Sequence, residues 1–139
     1  MIVADTNVVS ELMRAEPSPA VRAWVLARSH HELRITAITV AEILHGIERL
    51  PSGRRKEMLR EAAVDVFSRF TEDVLPFDAT AATVEPEIVD LRDRQGTPIS
   101  GFDAQIAAIC RVNDARLATR NEREFAEIGV ELINPWSSE

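Results

Sequence analysis

Apolar and polar positions alternate along this chain with a period that changes repeatedly. Short apolar runs are typical of buried strands, and the stretches between them carry apolar residues every three or four positions, as helices do. The runs predict strands at residues 2–4, 33–38, 74–77, 117–119 and 130–133. Strands that alternate with helices predict an α/β fold with a mainly parallel central sheet and helices on both faces, which is a three-layer architecture.

Capping residues mark where the predicted helices begin and where they are disturbed. Thr39 and Glu42 have the spacing of a capping box, so this spacing predicts a helix that begins at Thr39. Asp78 is predicted to cap the helix that follows the third strand. Pro86 lies inside that helical pattern, and we expect it to kink the helix or to start a new segment at Glu85.

The first residues carry the feature around which we expect the fold to be organised. The apolar run 2–4 stops at Asp5, Thr6 and Asn7, after which apolar residues resume at helical spacing. Ligands of open α/β sheets bind beyond the carboxyl ends of the strands. Asp5 is therefore predicted to lie where chemistry takes place, and a simple helix-capping role for Asp5 or Asn7 is the alternative.

Two further acids occupy comparable positions. Glu42 is predicted in the first turn after the second strand, and Asp103 near the start of an apolar, alanine-rich helix. A polar cluster, residues 119–124, follows the fourth strand. Because parallel strands end at one edge of a sheet, Asp5, Glu42 and this cluster are predicted at the same edge, with Asp103 at the rim of the core. Glu42 with Thr39 and Asp103 with Ser100 also have capping-box spacing, so a structural role is the alternative for each acid.

Composition limits the classes of protein that fit. A chain of 139 residues predicts one domain, 1–139, large enough to bury its own core. The net charge of −7 argues against a surface that coats nucleic acid, although an acidic nuclease fits if divalent ions neutralise its carboxylates. A single cysteine, Cys110, excludes an internal disulfide and a four-cysteine metal site. We expect neither a signal peptide nor a membrane span, and hence a cytoplasmic protein.

Three carboxylates that meet at one edge repel each other unless protons or cations intervene. A set of ligands made only of oxygen atoms favours Mg²⁺ or Mn²⁺ over zinc. Such a site activates water and neutralises charge on a phosphodiester. The chemistry expected from the residues is therefore metal-dependent hydrolysis of a phosphate ester.

The ordered set of motifs resembles that of PIN-domain nucleases, in particular the VapC-type toxins of bacterial toxin–antitoxin pairs and their FitB-like branch. The resemblance covers essentially the whole chain. It rests on Asp5-Thr6-Asn7, Thr39 with Glu42, Asp103 at the start of an apolar helix, Thr119-Arg120-Asn121, and the closing Asn134-Pro135-Trp136. It implies a Mg²⁺-dependent endoribonuclease that cleaves RNA and is held inactive by a cognate antitoxin, a separate DNA-binding chain.

By position, the resemblance implies that Asp5, Glu42 and Asp103 are catalytic acids and metal ligands. Asn121 stands where some members of the family carry a fourth acid, and an amide can orient water but cannot act as a base. Glu124, one helical turn later, is a candidate for the missing carboxylate. Hydrogen bonds that hold the acids in place are expected from Thr6, Asn7, Thr39 and Thr119.

Three other classes compete with the nuclease. A phosphate-receiver signalling domain has a similar size and sheet, but it requires paired acids after the first strand and a late lysine, and the only lysine here is Lys56. A dehalogenase-type phosphatase requires two aspartates separated by one residue, where this chain has Asp5 and Asn7. A degenerate PIN fold that only binds RNA or a partner is favoured by Asn121.

We also expect a homodimer. The apolar helices predicted at 40–50 and 57–70 carry more large apolar residues than one small sheet requires. Such a surplus suits an interface, and an ordinary core is the alternative.

Overall fold

The computed structural model of the chain describes residues 1–70 and 74–137. Two short 3₁₀ helices, Ser68–Phe70 and Glu122–Phe125, accompany the regular elements. The regular elements of these ranges are, in order, β1 (Ile2–Ala4), α1 (Thr6–Leu12), α2 (Pro19–Leu26), β2 (Leu33–Arg34), α3 (Ala37–Glu48), α4 (Arg54–Phe67), α5 (Ala79–Arg94), α6 (Gly101–Val112), β3 (Arg116–Ala118) and β4 (Leu132–Ile133). Within the described ranges, no helix combines the length and the apolar character that crossing a membrane requires.

The strands form one sheet in the order β2–β1–β3–β4, and every neighbouring pair is parallel. Ile2 lies opposite Leu33 of β2 on one side and Arg116 of β3 on the other. Ala4, the last residue of β1, lies opposite Ala118, the last residue of β3. Because all strands point the same way, the segments that follow them open at one edge of the sheet. The predicted parallel sheet is confirmed.

The two faces of the sheet are covered by different sets of helices. Ile2 and Ala4 pack with the buried residues of α1, α2, α3 and α4, whereas Val3 packs with those of α5 and α6. This division follows from the geometry of a strand, in which successive side chains point to opposite faces. The predicted three-layer α/β architecture is therefore confirmed.

Three predicted strands are shorter in the structure than in the sequence pattern. The strand predicted at 130–133 is reduced to β4. The segment 33–38 pairs through β2 and through Thr36, which forms a single parallel bridge with Leu75 of the segment 74–77. Leu75 is buried, and its N–H group donates to the carbonyl oxygen of Ile35 at 2.9 Å. The N–H group of Ala37 donates to the carbonyl oxygen of Leu75 at 2.9 Å, and α3 begins at Ala37, so the partner segment becomes helical and the ladder ends after one bridge.

The predicted start of α3 is wrong. The helix begins at Ala37, and its N-cap is Thr36, whose hydroxyl oxygen accepts the N–H group of Thr39 at 3.1 Å. This earlier cap replaces the capping box predicted between Thr39 and Glu42, because α3 already includes Thr39 and the N–H group of Thr39 is bonded to Thr36. The side chains of Thr39 and Glu42 are therefore used elsewhere. The N-cap predicted at Asp78 is confirmed.

Of the two alternatives predicted at Pro86, a new segment that starts at Glu85 is wrong, since α5 runs continuously from Ala79 to Arg94. A proline inside a helix leaves the carbonyl four residues earlier without its usual partner. Both Pro86 and Ala82 are exposed, so water can bond that carbonyl. Ile88, which is fully buried, anchors the following turn in the core that α5 shares with α6.

Candidate active site

A cleft of about 550 Å³ opens at the edge of the sheet where the strands end. Four carboxylates line it: the three predicted acids, which are Asp5 directly after β1, Glu42 from α3 and Asp103 from α6, and in addition Glu11 from α1. Asn121, three residues after β3, lines the same cleft. The structure thus brings together the four residues for which catalysis was predicted. The other lining residues are Thr6, Asn7, Ser10, Arg14, Arg120 and Trp136.

Asp5 is held more firmly than the other acids. Its side chain is the N-cap of α1, and the whole residue is 3% exposed. Its Oδ1 accepts the N–H group of Thr6 at 2.8 Å, while its Oδ2 accepts the Thr119 hydroxyl at 2.8 Å and the Asn7 amide at 3.2 Å. A carboxylate offers about four acceptor positions, so Asp5 keeps one for a further ligand.

Burial changes the pKa values of the acids in the cleft. Burial raises the pKa of Asp5 from 3.8 to about 6; hydrogen bonds from Thr119 and Thr6 lower it, and the charges of Asp103 and Glu42 raise it further. Burial also raises the pKa of Glu42 and of Asp103. None of the ion pairs among the described residues includes any of the three acids. A cation in the cleft would therefore stabilise all three in their ionised form.

A chain of hydroxyl groups orients Glu42. The Thr6 hydroxyl donates to Glu42 Oε1 at 2.7 Å and lies 3.0 Å from the Thr39 hydroxyl. Because the Thr6 proton is used on Glu42, Thr39 must be the donor to Thr6, and Thr36 in turn donates to Thr39 at 3.5 Å. Donors that are linked in this way polarise one another and strengthen the last bond of the chain. Thr39 thus acts on Glu42 through Thr6 and not through a capping box.

Asp103 lies in a more open setting. It is the third residue of α6, and its N–H group donates to the hydroxyl of the N-cap, Ser100, at 3.2 Å. Asp103 itself is half-buried. The pKa of its carboxyl is raised by burial and by the charge of Glu124, and lowered by the Ser100 hydroxyl and by Arg92. The Ser100 half of the capping-box alternative is therefore present, and the carboxylate still reaches the cleft.

Two exposed residues, Asn121 and Glu124, were the candidates for the position of a fourth acid. Asn121 lines the cleft, and its backbone N–H group donates to the Thr119 hydroxyl at 3.0 Å. Glu124 is not among the lining residues, yet its charge raises the pKa of Asp103. The structure therefore places Asn121 at the cleft, whereas Glu124 lies outside its lining and acts on Asp103 through its charge.

A model of the PIN domain matches residues 2–131. The chain belongs to the PIN-domain family. The VapC ribonuclease Y4jK of Sinorhizobium fredii is 37% identical over 137 residues, which are 98% of this chain and 98% of that protein. The toxin FitB of Neisseria gonorrhoeae is 34% identical over 137 residues, covering 98% of this chain and 99% of FitB. A solved structure of FitAB bound to an IR36 DNA fragment has a TM-score of 0.90 at 34% identity and covers 100% of this chain and 98% of that chain. The resemblance to VapC-type and FitB-like toxins is confirmed.

The PIN-domain cleft also contains side chains that were not predicted from the sequence. Glu11 is 7% exposed, accepts the N–H group of Ser18 at 2.8 Å and pairs with Arg14 at 3.1 Å. On the same cleft, the Arg120 guanidinium lies over the Trp136 indole, 5.2 Å from the ring centroid. A signal for the last two existed, because Arg120 follows β3 and Trp136 follows β4, which places both at the carboxyl edge of the sheet.

A buried arginine joins two walls of the cleft. Arg92 is 4% exposed, and its Nε donates to the carbonyl of Thr97 at 2.7 Å and to the Thr97 hydroxyl at 3.1 Å. Its Nη1 donates to the carbonyl of Glu124 at 2.6 Å. Arg92 therefore ties the segment before α6, which positions Asp103, to the 3₁₀ helix after β3, which positions Asn121. This role was not predicted, since it depends on contacts between distant segments.

The chemistry of this PIN domain's donor set fits Mg²⁺ or Mn²⁺ better than a soft metal, because the cleft presents carboxylate and amide oxygen atoms. In the described part of the chain, no three His, Cys, Asp or Glu residues form a ready-made metal cluster. Mg²⁺ typically keeps several water ligands and uses one or two carboxylates. The residues present therefore fit an ion held by one or two carboxylates and water, not a closed protein cage.

Proposed function

We propose that this PIN domain is the toxin of a VapBC-type toxin–antitoxin pair and an endoribonuclease that hydrolyses RNA phosphodiester bonds with Mg²⁺ or Mn²⁺. The observation that carries the proposal is the convergence of Asp5, Glu42 and Asp103 on one cleft, where burial raises the pKa of each carboxyl. Relatives that are named a ribonuclease and a toxin, and that match nearly the whole chain, support it.

Each acid has a different task in this mechanism. A bound divalent ion neutralises phosphate charge and lowers the pKa of a water molecule. Asp5, which three donors hold in one orientation, would hold the ion as its fixed ligand, and Asp103 would be the second ligand. Glu42 accepts a proton from the attacking water, because its raised pKa makes it a better base and the Thr6 hydroxyl aims its carboxylate. Asn121 orients water at the rim.

The proposal includes a cognate antitoxin, an RNA substrate, a homodimer and a cytoplasmic location. FitB, a toxin by name, has been solved within FitAB on DNA, and this supports an antitoxin that binds DNA. For the homodimer, Leu44 of α3 and Met58 and Val64 of α4 are 42%, 56% and 68% exposed. Sedimentation of the purified chain at micromolar concentration tests the homodimer, and a clean monomer would contradict it.

The decisive experiment compares two substitutions of the same kind. Asp5 and Asp78 are both aspartates at helix N-caps, but only Asp5 lines the cleft. Asp5→Asn should slow cleavage of single-stranded RNA with Mg²⁺ by about 10³-fold or more, because several kcal/mol of charge stabilisation are lost. Asp78→Asn should leave the rate within about twofold, since Asn and Asp cap almost equally well.

Thermal unfolding of both variants shows that they are compared at equal folding. Equal rates for wild type and Asp5→Asn would remove Asp5 from the mechanism and contradict the proposal. A wild type that binds RNA but does not cleave it with Mg²⁺ or Mn²⁺ would establish the degenerate binding module instead.

A further inference from the structure

Trp136 and Arg120 form a paired surface at the cleft, which the mechanism above does not use. The guanidinium lies over the indole ring at 5.2 Å from its centroid, and both side chains line the same cleft as Asp5 and Asp103. Trp136 is half-buried and packs against the core on the α1 side of the sheet, while Arg120 is exposed. The pair therefore presents a cation and an aromatic ring in contact with each other to whatever occupies the cleft.

Hydrogen bonds through Asn7 and Thr119 connect the backbone of Arg120 to the carboxylate of Asp5. The Asn7 amide donates to Asp5, while its Oδ1 accepts the backbone N–H group of Arg120 at 3.3 Å. Thr119, the residue before Arg120, donates its hydroxyl to Asp5 at 2.8 Å. Two routes thus hold the Arg120 backbone against the acid that we assign as the fixed metal ligand.

Trp136 is held in place by its own turn. Its backbone N–H group donates to Asn134 Oδ1 at 3.0 Å, and the Asn134 amide donates to Glu122 Oε2 at 3.1 Å. Glu122 begins the 3₁₀ helix that follows the Asn121 position of the cleft. Asn134 therefore connects the turn that carries Trp136 to the segment that carries Arg120.

A guanidinium group and an indole ring are both groups on which a nucleobase can stack. Single-stranded nucleic acids are recognised by stacking of unpaired bases on aromatic rings and on guanidinium planes, and a base inside a duplex cannot make that contact. A phosphate would contact the Arg120 guanidinium but would make no specific use of the indole at the cleft. The described residues also provide no ion pair that would occupy the Arg120 guanidinium.

We propose that Trp136 and Arg120 form a stacking platform for an unpaired base of the RNA, next to the phosphate that is cleaved. This inference rests on the proposed function and adds to it that the site selects single-stranded RNA by holding one base. A base on the platform would bring its phosphate into the cleft that Asp5 lines, because Trp136, Arg120 and Asp5 line the same cleft.

The first test uses the wild-type protein with Mg²⁺ and a short single-stranded RNA that is cut at one position. In a series of substrates, each nucleotide in turn is replaced by an abasic ribose. We expect one position next to the cleaved phosphate at which loss of the base raises KM about tenfold or more, with a much smaller change in kcat. Equal KM values at all positions, with cleavage intact, would overturn the platform and leave the proposed function standing.

The second test links that base to the tryptophan. Trp136→Ala should raise KM for the intact RNA about tenfold and should remove the difference between intact and abasic RNA, while Trp136→Phe should keep most of it. Trp24→Phe, a change in the other tryptophan outside the cleft, should leave both KM values unchanged. A Trp136→Ala enzyme that still distinguishes the two substrates would contradict the proposal.

The third test needs no catalysis and separates the two proposals. In the Trp24→Phe background, Trp136 is the only tryptophan, so its emission reports on the platform directly. In EDTA, single-stranded RNA should quench this emission, and an abasic ribose-phosphate chain of equal length should not. RNA binding without quenching overturns the platform even if the wild type proves to be no nuclease, whereas quenching without any cleavage would contradict only the proposed function.

Discussion

Asp5 and Asp103 invite comparison, because both begin helices at the same edge of the sheet and both line the cleft. Asp5 is 3% exposed and accepts hydrogen bonds from Thr6, Asn7 and Thr119. Asp103 is half-buried, and Ser100 is its hydrogen-bonding neighbour at the helix start. Similar local signals have thus produced one fixed, desolvated carboxylate and one that stays closer to water.

The difference shows how this cleft divides its work. A desolvated carboxylate with three donors is already oriented before any ligand binds. The same burial raises its pKa. A half-buried carboxylate can adjust to a ligand or bind it through water. Asp5 is the anchor of the proposed metal site and Asp103 its adjustable partner, and the predictions below test that division.

The pH dependence of stability should show the desolvation of Asp5 most clearly. The folded-state pKa of Asp5, about 6, lies above its ordinary 3.8, so the folded protein binds this proton more tightly than the unfolded chain does. The contribution of Asp5 is therefore fully favourable below pH 3.8 and is lost as the pH rises to about 6, by about 3 kcal/mol in total. Urea unfolding in EDTA at several pH values, for wild type and Asp5→Asn, measures it as the difference between the two curves. Parallel curves would contradict the burial of this charge.

Substitution of Asp5 should weaken metal binding more than substitution of Asp103 does. Asp5→Asn should weaken Mn²⁺ binding by about 100-fold or more, and Asp103→Asn by about tenfold, because only Asp5 is preoriented. Calorimetric titration with Mn²⁺ measures both, and Asp78→Asn is the matched control with no expected change. A larger loss for Asp103→Asn than for Asp5→Asn would reverse the proposed division of work.

The stability of Asp5→Asn at pH 7 should exceed that of the metal-free wild type by about 1–2 kcal/mol, since a buried charge is removed. The gain stays below the full cost of ionisation because the amide loses one acceptor for Thr119 or Asn7. Thermal or urea unfolding in EDTA provides the value. The advantage should vanish below pH 3.8, where wild-type Asp5 is protonated, and its persistence there would point to another cause.

The smallest expected effect concerns the fourth position. Asn121→Asp restores a carboxylate at the rim of the cleft and should tighten Mn²⁺ binding about three- to tenfold. The effect is modest because Asn121 is exposed and the new charge is hydrated. Glu124→Gln is the companion variant, and a larger change for Glu124→Gln would assign the fourth carboxylate to Glu124.

Much of this fold follows from local pattern. The alternation of short apolar runs with helical periods predicted the parallel sheet and its two helical layers, and the end of the first run predicted the place of Asp5. The Ser100 cap before Asp103 was predicted as well. These features depend on residues within a few positions of each other, where periodicity and capping act directly.

Other features depended on the packed molecule. Thr36 replaced Thr39 as the cap of α3, and the freed Thr39 hydroxyl joined Thr6, which lies 33 residues earlier in the chain. Thr119 reaches Asp5 across 114 residues because β3 pairs with β1. The order of the strands, which no local pattern encodes, decides which distant side chains meet at the sheet edge. Local sequence therefore placed the acids at the cleft, and strand order decided that Asp5 is the desolvated one, because desolvation depends on neighbours that only the tertiary fold supplies.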